Sequence, residues 1–252
     1  PDIVVIHLGI NDTDPRNWPF FRDDFTKDYI ALIRTFKDAN PNAKFYIAKM
    51  SPISHRHHRF VAGTRDWHKL IQASIVRVAK STGAYLIDFY SPLLPYPQML
   101  PDGLHPNKAG AGVLARVVYQ ALTGNYGGLK MPMVFSDNMV VRRERNFEVY
   151  GTANAGQVVT ASFGNDKTST VTKNDGTWRL LFAAPRMGKT YTLTVTSEKR
   201  TLKFKNIVAG EVWLCSGQSN MAFPLASDEL GKEALAIADD PNLRVLNMVP
   251  RW

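Results

Sequence analysis

Asp102-Gly103-Leu104-His105 sets a carboxylate three residues ahead of an imidazole, in a turn bounded by Pro101 and Pro106. A carboxylate that holds an imidazole, with the other ring nitrogen open to a hydroxyl proton, is two thirds of a nucleophilic triad. The same two residues also suit a helix cap beside a surface imidazole. Two further stretches bear on the choice. Gly9-Ile10-Asn11-Asp12 follows an apolar run near the start of the chain. An Asn there can aim its amide N–H at a developing oxyanion, an effect worth about 3–4 kcal/mol. It also suits a plain Asn-Asp turn. Ser216-Gly217-Gln218-Ser219-Asn220-Met221 sets a hydroxyl, Ser219, on a turn after another apolar run. Gly217 permits tight geometry there and backbone N–H groups lie close by, though Ser219 could equally be the N-cap of a following helix.

The elements that must position these groups follow from periodicity. Asp2 to Leu8 is continuously apolar, as expected of a strand buried on both faces of a parallel sheet. From Asp23, apolar residues recur at Phe25, Tyr29, Leu32, Ile33 and Phe36, which is helical spacing. Lys44 to Met50 reads as a second strand and Trp67 to Val78 as a second helix. Ala84 to Asp88 reads as a third strand and Lys108 to Leu122 as a third helix. Strand and helix in alternation predict a parallel sheet with helices on its faces, and function at the carboxyl ends of its strands. Asn11 and His105 would then share one edge.

The pattern changes after the glycine-rich stretch at 124–132. About eight short strands with turn chemistry, such as Gly164-Asn165-Asp166 and Asn174-Asp175-Gly176, predict a small antiparallel sandwich. Ile207 to Cys215 reads as a buried strand broken by Gly210-Glu211, and Asp228 to Asp239 as a helix, so a new α/β unit opens there. The expected domains are therefore 1–124, α/β and incomplete at its start; 125–206, all-β; and 207–252, the start of a second α/β module.

Composition narrows the function classes. The net charge of +9 is spread over the chain, with no basic helix or aromatic-basic sheet motif of a nucleic-acid binder. No apolar run reaches the roughly 18 residues of a membrane span. A single cysteine, Cys215, excludes an internal disulfide and a cysteine-rich metal site, and reads as a small buried apolar residue. His55-Arg56-His57-His58 lacks the carboxylate or cysteine that would complete a metal site and reads as a loop beside the active edge. Residue 1 falls at the edge of an apolar run, so the chain is expected to be a fragment or a processed piece, and its missing leader says nothing about export.

With these residues in view, two resemblances stand out. Ile6-His7-Leu8-Gly9-Ile10-Asn11-Asp12 and Asp102-Gly103-Leu104-His105-Pro106 make residues 1–122 similar to the later part of an SGNH (GDSL-like) hydrolase. Phe135-Ser136-Asp137-Asn138-Met139-Val140, Gly176-Thr177-Trp178 and the run from Gly210 to Met221 make residues 130–252 resemble the opening of a sialate O-acetylesterase. The first resemblance implies a flavodoxin-like fold, Asn11 as oxyanion donor, Asp102 as orienter and His105 as base. The second implies Ser219 as nucleophile, with Gly217 and Gln218 beside its substrate, as Gly9 would be beside that of the first. Two departures matter: the first family's nucleophile belongs upstream of Pro1, and the second family's Asn and Asp/His belong beyond Trp252. Val141-Arg142 also stands where the second family more often shows Leu-Gln.

The resemblances imply a carbohydrate O-acetylesterase with two such modules in tandem, free of metal and organic cofactors. Its substrate would be an acetylated sugar or polysaccharide, met in the periplasm or outside the cell. Ser219 and His105 would belong to different sites, and the chain alone would be nearly inactive. Two alternatives stay open: a circularly permuted single site shared by Ser219, Asn11, Asp102 and His105, and a non-catalytic carbohydrate-binding or scaffold piece. Oligomeric state is not readable.

Overall fold

The computed structural model describes residues 1–54, 57 and 64–246. The chain divides after Thr123 into two compact units.

The first unit holds strands β1 (Ile3–Ile6), β2 (Lys44–Lys49) and β3 (Tyr85–Asp88) in one parallel sheet of order β1-β2-β3. Helix α1 (Trp18–Ala39) crosses from β1 to β2, and α2 (Thr64–Thr82) crosses from β2 to β3. Helix α3 (Lys108–Thr123) follows β3. Parallel neighbours need such crossovers, because a tight turn can only join antiparallel strands.

The middle strand shows why the sequence folds this way. Phe45 and Ile47 point into a core with Tyr29 and Ile33 of α1 and Ile71, Ile75 and Val78 of α2. Their neighbours Tyr46 and Ala48 point the other way, to Ile87, Phe89 and the Leu114–Val118 stripe of α3. Alternation along a strand thus puts two helices on one face and one on the other.

Burial on both faces, expected for the first strand, holds for β2 and fails for β1. Val4 and Ile6 join the α1–α2 core, but Ile3 and Val5 on the opposite face are 49% and 41% exposed. The cluster beneath α3 takes its strand residues from β2 and β3 and none from β1. Helix α1 also starts at Trp18, earlier than its apolar stripe suggests, because Pro19 in the first turn gives up no intrahelical bond.

The second unit contains seven strands among the described residues: β4 (Val140–Arg142), β5 (Phe147–Thr152), β6 (Val158–Phe163), β7 (Asp166–Val171), β8 (Thr177–Phe182), β9 (Thr190–Ser197) and β10 (Arg200–Gly210). They form a five-stranded sheet, β4-β10-β9-β6-β7, and a β5-β8 pair. Phe147, Val149, Trp178, Leu180 and Phe182 of the pair meet Val159, Ala161, Phe163, Leu193, Val195 and Ile207 in one core. Strand β8 alternates exposed and buried without a break, the signature of one wet and one packed face.

Three expectations beyond β10 are overturned. Strand β10 carries Ile207 to Gly210 but ends at the Gly210-Glu211 break, so the continuation of the buried strand to Cys215 is absent. Val212, Trp213 and Leu214 are 56%, 83% and 94% exposed, and Cys215 is exposed as well. The helix expected over 228–239 shrinks to Gly231–Ala236, here α5, after a single turn at Ser219–Ala222, here α4. An apolar run is buried only where something packs on it. What anchors this segment is polar instead: Arg143 Nε donates to Glu211 at 2.5 Å, and Arg244 Nη1 to the Asn138 carbonyl at 3.2 Å.

Candidate active site

The Asp102–His105 turn is built by local hydrogen bonds. Asp102 Oδ1 accepts the backbone N–H of Leu104 at 2.9 Å and of His105 at 2.7 Å. Its Oδ2 lies 2.6 Å from His105 Nδ1. An ionised carboxylate only accepts, so Nδ1 carries the hydrogen and Nε2 is the nitrogen that can take a proton. The ring's hydrogen bond, then the two backbone N–H groups, hold the Asp102 carboxyl well below the usual carboxylate range. The side chains stay 53% and 76% exposed, so a substrate can reach the imidazole from solvent.

The turn is clamped from both sides. Upstream, Gly103 N–H donates to Leu100 and the Gly103 carbonyl accepts from Ser54, both at 2.8 Å. The loop after β2 is thereby tied to the loop after β3. Gly103 has φ +81°, and a Cβ there would sit 3.0 Å from Ser54 Cβ and 3.1 Å from His57 Cβ. Downstream, Asn107 Oδ1 accepts the Gly110 N–H at 3.0 Å and so caps α3, fixing where the chain leaves the turn. Leu104 is buried, which roots the turn in the fold.

Asn11 begins a short 3-10 turn, Asn11–Thr13, after the carboxyl end of β1, and is exposed. Its carbonyl accepts Asp14 N–H at 3.1 Å and Asn17 Nδ2 at 2.9 Å. Asp14, which is buried, takes Arg16 Nε and Nη2 at 2.9 Å each and steadies the path into α1. Asn11 and the Asp102–His105 turn both leave carboxyl ends of the same parallel sheet. Gly9, expected beside substrate, is buried; a Cβ there would lie 2.9 Å from Ile71 Cγ2 and from Met50 Sδ. Close packing is what its missing side chain serves.

Ser219, Gly217 and Gln218 are exposed and lie in the second unit. Ser219 opens α4, where Met221 and Ala222 N–H groups donate back to the Gln218 carbonyl at 3.0 and 3.2 Å. A Cβ on Gly217 would come within 2.7 Å of Met221 Cγ, so glycine makes room for the turn. All six histidines of the chain stand at or before position 105, so the second unit has no imidazole of its own.

Two groups escaped the sequence reading. His68 is buried, with Nε2 3.0 Å from the Ser51 carbonyl, and burial pushes its pKa down. Nothing in its helical spacing distinguished it from a surface residue. Ser54 ties its loop to Gly103 through its backbone, and backbone partners leave no mark on sequence. Of the His55–His58 loop only His57 is among the described residues. Among the described residues no three His, Cys, Asp or Glu side chains gather as a metal site, and no helix is long and apolar enough to cross a membrane.

Trp178 is a core residue at 2% exposure, with its indole N–H unpartnered, and Tyr191 stacks on Phe163. Neither aromatic is presented as a sugar platform.

Residues 1–113 match the model of the GDSL-like Lipase/Acylhydrolase family. The chain is also homologous to an acetylxylan esterase of Xylanibacter ruminicola, 31% identical over 137 residues, covering 48% of this chain and 28% of that protein. A sialate O-acetylesterase of Rattus norvegicus is 28% identical over 138 residues, covering 48% of this chain and 26% of that protein. The chain thus spans about a quarter of the curated relatives it matches. Among solved structures, a carbohydrate acetylesterase from Xanthomonas citri is 29% identical, with a TM-score of 0.42 over 44% of this chain and 26% of that one. A GDSL-like lipase from Bacteroides thetaiotaomicron is 24% identical, with a TM-score of 0.41 over 48% and 62%.

Proposed function

We propose that this chain is part of a carbohydrate O-acetylesterase working by serine acylation. The observation that carries the reading is the 2.6 Å contact of Asp102 Oδ2 with His105 Nδ1 on an accessible, doubly clamped turn. The similarity to an acetylxylan esterase and a sialate O-acetylesterase supports the substrate class, an acetylated sugar or polysaccharide. We assign the protein to the periplasm or the outside of the cell, where such a substrate would be met.

In the reaction His105 Nε2 takes the proton of a serine Oγ, which bonds to the acetyl carbonyl carbon. The oxyanion is held by Asn11 and backbone N–H groups. Collapse breaks the bond to the sugar oxygen, which leaves with the proton from His105. Water then repeats the sequence on the acetyl-serine and releases acetate. Asp102 stabilises the imidazolium formed in each half. The protein's own groups perform every step without a metal or organic cofactor.

We assign Ser219 the same nucleophilic part in a second module, with Gly217 and Gln218 beside its substrate and Gly9 beside that of the first. The modules are divided as 1–124, a β-sandwich at 125–206, and 207–252. Support for a separate site comes from the uncovered Val212–Leu214 segment ahead of Ser219. The lack of any histidine in the second unit means that Ser219 must find its base elsewhere. That same fact keeps a second reading in view, in which His105 serves Ser219 in one permuted site. Burial of Trp178 weighs against a lectin-like role for the sheets.

The test is hydrolysis of an activated acetate ester by the 252-residue chain, with Ser219→Ala and His105→Ala alongside. Triad members act as a unit, so rates near background are expected in all three. Robust turnover abolished by either substitution would establish the single permuted site instead.

A further inference from the structure

A groove of about 290 Å³ runs between α1 and α2 of the first unit. Trp18 and Arg22 line it from α1, and Trp67, Leu70, Ala73 and Arg77 from α2. The α2 residues recur at three- to four-residue intervals and so form one stripe, roughly 15 Å long at 1.5 Å per residue. None of these side chains takes part in the chemistry described above.

The lining is chemically selective. The half-buried Trp67 gives the groove an aromatic surface at one end, with the buried Trp18 packed behind it in the core, and Leu70 adds apolar surface. Arg77 Nη2 donates to Ser74 Oγ at 2.8 Å, and that buried hydroxyl donates to the Leu70 carbonyl at 3.1 Å. The guanidinium is thus steadied on the wall, with its remaining N–H groups still to be used. Arg22 faces only Asp23, at 3.7 Å, with both side chains largely in water at 64% and 92% exposure. A pair so solvated is weak and yields readily to a better-placed anion. Two guanidiniums against one carboxylate leave the groove positive.

Its place in the fold is also informative. Trp18 is the first residue of α1, and Trp67 lies in the first turn of α2. Both helices start from loops that leave carboxyl ends of the sheet. The aromatic end of the groove therefore lies at the edge that bears Asn11 and the Asp102–His105 turn, and Arg77 lies nearly three turns further down.

We propose that this groove is a subsite for an acidic sugar, a hexuronic acid residue within an acetylated polysaccharide. The C–H face of the pyranose packs on the Trp67 indole and Leu70, and the carboxylate takes the paired N–H groups of Arg77 or Arg22. At about 290 Å³ the groove holds one or two sugar rings, the lower end of ordinary ligand sites. The link to acetyl removal at the adjoining edge depends on the esterase reading; the binding itself does not.

Titration calorimetry of the 252-residue chain tests this with an unacetylated xylo-oligosaccharide carrying one glucuronic acid, against the neutral oligosaccharide of equal length. The acidic glycan should bind roughly tenfold tighter or better, a charge-assisted bond's worth. Arg77→Ala should erase most of that preference, Ala73→Leu should block binding of both glycans by filling the groove, and salt should weaken the acidic glycan alone. Both substitutions are on the helix surface, and circular dichroism confirms their fold. Equal affinity for the two glycans, no binding of either, or a preference untouched by Arg77→Ala would overturn the subsite. His105→Ala should bind like the wild type, so loss of the esterase reading and loss of the subsite are separate results.

Discussion

His105 Nδ1 lies 2.6 Å from Asp102 Oδ2, while the other oxygen of the same carboxylate accepts the backbone N–H of Leu104 and of His105 itself. One side chain therefore shapes the turn and orients the ring. The two duties are separable by mutation, because they use different oxygens.

Asp102→Asn keeps one carbonyl oxygen for the backbone and loses the acceptor charge beside the ring. In the full-length protein, turnover at the site of His105 should fall on the order of 10⁴-fold, as when the triad aspartate of a studied serine protease is replaced, with little change in melting temperature. Asp102→Ala should lower both. Because the folded-state pKa is depressed, the charged group's contribution to stability is full above the unfolded value of about 4 and is lost as pH falls through the folded one. The stability difference between wild type and Asp102→Ala should shrink as pH falls below about 4, measured by urea unfolding.

Gly9→Ala tests the packing role found for that residue. Its φ of +110° disfavours any side chain, and the new methyl would press on Ile71 and Met50 at 2.9 Å. A loss of about 2–4 kcal/mol of stability is expected. A variant as stable as wild type by denaturant midpoint would show that the loop before Asn11 yields freely.

His68 sets a second pH window. Burial holds its ring neutral in the folded state, so the unfolded ring gains a proton that the folded one refuses. Stability should decline as pH falls below about 6.5, the unfolded value, and go on declining until the folded pKa is passed. His7, also lowered by burial, adds to the same decline. His68→Gln should flatten the curve between pH 7 and 5 in part; an unchanged slope would mean that His68 does not titrate with unfolding.

Much of the α/β unit was legible because its signals are local. Phe45, Ile47 and their neighbours declare a strand, and the Tyr29–Ile33–Phe36 spacing a helix, without reference to anything distant. Asp102 and His105 were legible as a pair because three residues of turn bring them into contact. What failed was tertiary. Ile3 and Val5 read as buried, yet no residue on the page of the sequence says whether a helix covers that face of β1. Val212–Leu214 and Cys215 failed for the same reason: an apolar run predicts burial only if a neighbouring strand or helix receives it. The Ser54–Gly103 bond, a backbone link across the chain, leaves no side-chain trace at all.

The decisive measurement is acetate release from an acetylated xylo-oligosaccharide by the full-length protein carrying Ser219→Ala, with and without His105→Ala. Ser219→Ala should leave a substantial rate, that of the site built on Asp102 and His105. Adding His105→Ala should then lower that rate by roughly 10³-fold or more, since the attacking hydroxyl loses its base. A rate indifferent to His105→Ala would contradict the assignment of the base. A rate already abolished by Ser219→Ala alone would contradict the two-site account and place Ser219 and His105 in one site.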